Sequence, residues 1–182
     1  GLRAYDEAQY SEAERALGEA LRLQPVTARD RATAHKHLAF IYCTSGRAAE
    51  ARPHLESAVR LWPAHPLAWA DLAGACLDVG DPQAARRAAD VSVARSPSHG
   101  YGWYYRGLAR RRTGDPAGAI VDLRRAAALL PTTPDVRLAL VEAIDATGRR
   151  VDALAALREG LRASPRNRRM RALLREWEPP PR

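Results

Sequence analysis

Lysine is nearly missing from this chain. Lys36 is the only one, so arginine supplies almost all of the positive charge. The two cysteines, Cys43 and Cys76, are too few for a disulfide framework and form no CxxC pair, which excludes a disulfide-stapled fold and a thiol-redox motif. Both are expected as reduced, small residues filling helix faces. No apolar run approaches the roughly 20 residues that cross a bilayer, so this segment is not expected to insert in a membrane. The start lacks a basic stretch followed by a leader-type apolar segment. The histidines show neither HExxH nor Cys/His metal spacing. His35 and His37 are two apart on a helix and point to different faces, while His65 and His99 share one register position, expected in solvated loops. The glycine-rich run from Gly100 to Gly107 has no strand before it, so it reads as a helix start and not a nucleotide loop. No nucleophile stands with a partner base. An enzyme, a metal site and a cofactor site are therefore not expected.

The formal charge is +8, which raises the question of a nucleic-acid partner. The bias is toward arginine and alanine together, the mark of a GC-rich genome, and nucleic acid is not the expected partner. RNA binding by a basic helical surface stays open as an alternative, with steep salt dependence as its signature.

What the chain does have is a ladder. Pro63, Pro97, Pro131 and Pro165 are each 34 residues apart, and Pro25 precedes Pro63 by 38. Small residues fall into columns in phase with it. Twelve before each proline stand Ala13, Ala51, Ala85, Ala119 and Ala153; five before stand Ala20, Ala58, Ser92, Ala126 and Gly160. Seventeen before stand Ala8, Gly46, Gly80, Gly114 and Gly148; twenty-four before stand Gly1, Ala39, Ala73, Gly107 and Val141.

These columns describe a repeated helix hairpin. Alanine or glycine at fixed places on two helices lets the backbones approach closely. The column glycine supplies the turn after the first helix. Asp81-Pro82 and Asp115-Pro116 then offer a cap and a first-turn proline for the second helix, which the ladder proline stops.

Trp103, Gly107, Gly114, Ala119, Leu123, Ala126 and Pro131 together resemble a tetratricopeptide-repeat (TPR) unit, and Trp69, Leu72, Gly80, Ala85 and Pro97 repeat it. The resemblance runs from Gly1 to about Pro165. It implies an all-α fold, a right-handed α-solenoid of TPR helix hairpins with a C-terminal capping helix. A single array is expected over 1–178. A partial unit spans 1–25, with helices near 1–7 and 10–23, and a connection spans 26–31. Units then follow at 32–65, 66–99, 100–133 and 134–167. A cap helix at 168–178, with Leu173, Leu174 and Trp177 as its apolar face, hides the last unit's bare side. The tail 179–182 is expected to be flexible. Gly1 falls inside a helical column, so the chain is expected to be a fragment of a larger protein, and its compartment stays open between cytoplasm and periplasm. Arg106 and Arg110 stand where the family has leucine and an aromatic, and Arg137 where it has an aromatic. Their stems are expected to cover apolar surface with the charge in water. Pro53 is expected to distort its turn.

The resemblance also implies a partner, a protein or peptide segment in a concave groove lined by the first helix of each unit. The matching positions are Lys36, His37, Phe40, Cys43 and Thr44, then Leu67, Asp71, Leu77 and Asp78. They continue with Tyr101, Tyr104, Tyr105, Leu108, Arg111 and Arg112, then Asp135, Leu138, Glu142 and Asp145, with Leu2, Tyr5 and Asp6 at the start. Tyrosine and arginine are enriched in binding hot spots, so Tyr101, Tyr104, Tyr105, Arg111 and Arg112 form the expected contact patch. Reversing charge at Arg111 and Arg112 is expected to abolish capture and leave stability intact. The clamp by which some family members grip a C-terminal carboxylate is not expected. Its positions hold Lys36, Phe40, Asp71, Tyr101 and Tyr105, and Asp71 repels an anion. Two functional readings follow: an interaction scaffold or adaptor, and the body of an envelope or secretion-apparatus assembly factor.

Overall fold

The computed structural model describes residues 2–22 and 27–178, with side chains from Tyr10 onward except Pro66. These residues form α1 (Leu2–Arg22), α2 (Ala28–Thr44), α3 (Ala48–Leu61), α4 (Pro66–Asp78), α5 (Pro82–Arg95), α6 (Gly100–Arg112), α7 (Pro116–Leu129), α8 (Pro134–Asp145), α9 (Arg150–Ala163) and α10 (Arg168–Trp177). No strand occurs among the described residues. The fold is an all-α solenoid, with consecutive helices packed as neighbours along the chain.

The turn chemistry explains where each pair bends. Gly46, Gly80, Gly114 and Gly148 all have positive φ, from +72° to +84°, a conformation that costs glycine nothing. After three of them a backbone N–H reaches five residues back, from Arg47 to Tyr42, Asp81 to Cys76 and Asp115 to Arg110, at 2.7–2.9 Å. That closes the first helix. Asp81 and Asp115 then accept from Ala84 N and Gly118 N, both at 2.9 Å, and Pro82 and Pro116 open the second helix. At the same register Arg47 and Arg149 lack a capping oxygen, and each instead pairs with an acid three residues on, Glu50 and Asp152. Each second helix is capped one residue before a ladder proline, by Trp62, Ser96, Leu130 and Ser164, with φ from −123 to −142° and positive ψ. A following proline disfavours helical backbone at the residue before it.

The small-residue columns form the core. Ala51, Ala85, Ala119, Ala153, Ala73, Val141 and Ala126 are all fully buried. Sizes are matched across helices. A Cβ on Gly107 would lie 2.7 Å from Leu123 Cγ, whereas the same register one repeat earlier holds Ala73 and Ala89, both in one core cluster. A missing methyl on α6 makes room for a leucine on α7.

Four expectations are corrected. The first helical segment does not break near residue 8, because the column glycine is Ala8 there and alanine favours continued helix; α1 is one helix from Leu2 to Arg22. The connection expected at 26–31 is partly helical. Thr27 caps α2 through a reciprocal box with Asp30, so the extra residues lengthen α2 to 17 residues. The helix α3 runs unbroken through Pro53. Arg106 and Arg110 do not keep their charges in water. Both bind Asp122, whose side chain is 1% exposed, at 2.8 and 3.0 Å. The expected features at Gly1, at Pro25 and in the tail 179–182, and the side chains of Leu2, Tyr5 and Asp6, lie outside the described residues.

Arg137 follows the pattern in another way. Trp69 and Trp103 donate their indole N–H to Pro63 O and Pro97 O, both at 2.8 Å. Arg137 sends Nε to Pro131 O at 3.3 Å and pairs with Glu159. The donor is retained where the aromatic ring is not. At the far end, α10 lays Met170, Leu173, Leu174 and Trp177 against the last core cluster.

Candidate functional site

Helices α2, α4 and α6 line a groove of about 600 Å³. Its residues recur because one side of each first helix faces the same way: Lys36, His37, Phe40, Cys43 and Thr44 from α2, Asp71, Gly74, Ala75 and Asp78 from α4, and Tyr101 and Tyr105 from α6. Phe40 is 60% exposed and Tyr101 38%, so the groove presents bare aromatic surface. Cys43 is exposed on the groove side of α2, whereas Cys76 is buried in the core. Burial against the groove wall, reinforced by Asp78 and Asp71, pushes the Cys43 thiol up and keeps it neutral.

The tyrosines of α6 divide their work. Tyr101 stacks on Tyr105 with centroids 6.2 Å apart. Tyr105 lies over Gly74, where a Cβ would come within 2.9 Å of Cζ. Its phenol is pushed well above the usual range by desolvation, with Asp71 adding to the shift. Tyr104 touches both rings, with centroids 6.5 and 5.2 Å away, and also packs against the core clusters of α7 and α8, while Leu108 bridges the two large core clusters.

The charged groups are paired to very different degrees. Arg111 binds Glu142 at 3.1 Å, and Arg112 donates to Leu77 O at 2.6 Å. Glu142 also takes Arg169, and Asp145 takes Arg150 at 2.7 Å. Glu142 and Asp145 therefore line a second recess, closed by α10 through Trp177 and Arg169, and not the α2–α4–α6 groove. Lys36 reaches Asp71 only at 3.8 Å. The Asp71 carboxyl sits above its ordinary range because the apolar walls desolvate it, and Lys36 offsets this in part.

The structure thus gathers Lys36, His37, Phe40, Asp71, Asp78, Tyr101 and Tyr105 in one place and assigns Tyr104, Leu108, Arg111, Arg112, Glu142 and Asp145 to packing or ion pairs elsewhere. Sequence reasoning missed Gly74, although it occupies the register of Phe40, Leu108 and Glu142. The other missed residue, Asp122, occupies the register of Ala88 and Ala156. His65 lies in the connection between α3 and α4, where it also caps α4, accepting from Ala68 N at 3.3 Å.

No helix among the described residues is long and apolar enough to cross a membrane, and no group of three metal-ligating side chains occurs among them. No curated protein sequence matches the chain. Several solved structures share its fold. A structure of MamA superposes with TM-score 0.75 at 19% identity, covering 92% of this chain and 95% of that one. TTC0263, a thermophilic TPR protein of Thermus thermophilus, gives 0.74 at 22%, covering 97% and 94%. The first TPR of Spaghetti (RPAP3), bound to the HSP90 peptide SRMEEVD, gives 0.61 at 21%, covering 66% and 95%. One tetratricopeptide-repeat model matches residues 42–103 and 111–176, and a second matches 1–66 and 75–135. With more than half its length matched by each model, the chain belongs to the tetratricopeptide-repeat family.

Proposed function

We propose that this chain is an interaction scaffold that holds a peptide or protein segment in the groove between α2, α4 and α6. The observation that carries this reading is Phe40, a large apolar side chain 60% exposed within a groove of about 600 Å³. Exposed aromatics in a concavity favour a partner, because covering them removes apolar surface from water at small entropic cost. Tetratricopeptide repeats in general mediate protein–protein contacts, and one structure of the same fold holds a peptide.

A photo-reactive phenylalanine analogue at position 40, introduced in the native host, tests the reading. Irradiation is expected to give discrete protein adducts. The same analogue at Val151, 81% exposed on α9, is expected to give none. Equal labelling from both positions, or none from either, overturns the proposal.

A further inference from the structure

The whole chain is basic, but the groove offers mainly negative charge. The cations around it are engaged: Lys36 with Asp71, Arg111 with Glu142, Arg112 with a backbone carbonyl. The carboxylates are matched only in part. The Lys36–Asp71 contact of 3.8 Å is long for an ion pair. Asp78 forms no ion pair and no side-chain hydrogen bond among the described residues.

Asp71 and Asp78 are seven residues apart on α4, so they share one face about 10 Å apart along the axis. Between them lie Gly74 and Ala75, which add almost no bulk, and over Gly74 lies the Tyr105 ring. Two carboxylates on one helix face, beside exposed aromatic surface at Tyr101, suit a cation whose N–H groups they accept. The neighbouring wall is apolar and exposed at Phe40 and Tyr101.

We infer that the segment held here carries an arginine or lysine beside an apolar residue, the cation lying between Asp71 and Asp78 and the apolar side chain against Phe40 and Tyr101. The inference rests on the groove reading above and deepens it. It also separates this groove from one that grips an acidic tail, since Asp71 and Asp78 repel carboxylates.

A phage-displayed library of random twelve-residue peptides, selected against the intact chain, tests it. Peptides with a basic residue next to a large apolar one are expected to be enriched. Synthesised and measured by fluorescence anisotropy, they are expected to weaken about tenfold or more for Asp71→Asn with Asp78→Asn, as lost charge-assisted hydrogen bonds require. They are expected to recover with Asp78→Glu on the Asp71-intact chain and to be lost with Phe40→Ala. Peptides that need Phe40 but show no basic residue, or ignore both aspartates, overturn this inference and leave the groove reading standing. Peptides indifferent to Phe40, or no enrichment at all, overturn both.

Discussion

The Arg106 guanidinium and the Asp122 carboxylate face each other between α6 and α7, joined by Nε–Oδ2 and Nη2–Oδ1 hydrogen bonds of 2.9 and 2.8 Å. Arg110 adds a third contact at 3.0 Å, and Asp90 takes the third guanidinium nitrogen of Arg106 at 3.3 Å. One repeat earlier the same three registers hold Leu72, Cys76 and Ala88, all buried. An apolar trio has been exchanged for a charged one. In the repeat before that, Tyr42 and His54 are in ring contact at the registers of Arg110 and Asp122.

A buried carboxylate with two guanidinium partners is hard to remove singly. Asp122→Ala is expected to destabilise by about 3 kcal/mol or more, because two partly buried arginines lose their counter-charge. The triple change Arg106→Leu, Arg110→Ile and Asp122→Ala restores residues found at these registers in the following repeat, Leu140, Ile144 and Ala156. It is expected to be neutral or stabilising, since desolvating an ion cluster costs about what its attraction returns. Urea unfolding followed by circular dichroism reads both, and a triple variant as unstable as Asp122→Ala defeats the argument.

Two glycines give a test with opposite signs. Nothing lies within 4 Å of a Cβ added at Gly80, whose φ is +81°. Its change to alanine is therefore expected to cost about 1 kcal/mol through the backbone alone, with no steric clash involved. Gly18 lies inside α1, also with nothing within 4 Å. There Gly18→Ala is expected to stabilise α1 by up to about 1 kcal/mol. Thermal melts of the two variants moving the same way contradict the backbone argument.

The helix hairpins were legible because their causes are local. A proline at fixed spacing, a positive-φ glycine and a capping aspartate each act within a few residues. The groove was legible in part, since Phe40, Asp71 and Tyr101 project from one face of their helices at family positions. Tyr104 and Arg111 look equally suited in the sequence, but their destination depends on α8, which offers Tyr104 a core and Arg111 a carboxylate at Glu142. The Asp122 cluster was present as a signal that only the register reveals: two arginine departures and one aspartate departure within a single repeat. Reading each helix alone hides it, because Arg106 and Asp122 are 16 residues apart on different helices.

His35 and His54 set an expectation for pH. Their Nδ1 atoms are 2.9 Å apart, so one must donate and the other accept. Both imidazoles are held below their ordinary value, chiefly by desolvation, with mutual repulsion and Arg31 and Arg60 adding at His35 and Glu14 opposing at His54. The unfolded chain therefore binds protons first. The stability is present above the unfolded value, about 6.5, and is lost as pH falls from there through the depressed folded values. The melting temperature is expected to drop between about pH 7 and pH 5. His54→Ala, which places the residue of Ala88 and Ala156 at this register, is expected to flatten that drop. An unchanged pH profile in the variant removes the pair as its cause.

Arg112 and Phe40 separate folding from binding. The sequence assigns both to partner contact, and the double reversal Arg111→Glu with Arg112→Glu is expected on that basis to spare stability. The contacts in the structure lead to a different expectation for stability: Arg112 Nη1 donates to Leu77 O at 2.6 Å across 35 residues, and Arg111 pairs with Glu142. Removing Arg112 takes the charged donor from Leu77 O, which keeps the Gly80 N–H, a loss of about 0.5–1.5 kcal/mol, so Arg112→Ala is expected to lower the melting temperature by a few degrees. Phe40→Ala removes a ring that is mostly in water and is expected to leave the melt unchanged within about 0.5 kcal/mol. Groove peptides are expected to lose affinity for the Phe40 variant, whose fold is intact. For the Arg112 variant the loss is expected to follow the fraction unfolded and to vanish on cooling to where that chain is fully folded. An Arg112→Ala chain that melts like the parent yet fails to bind would return Arg112 to the contact surface.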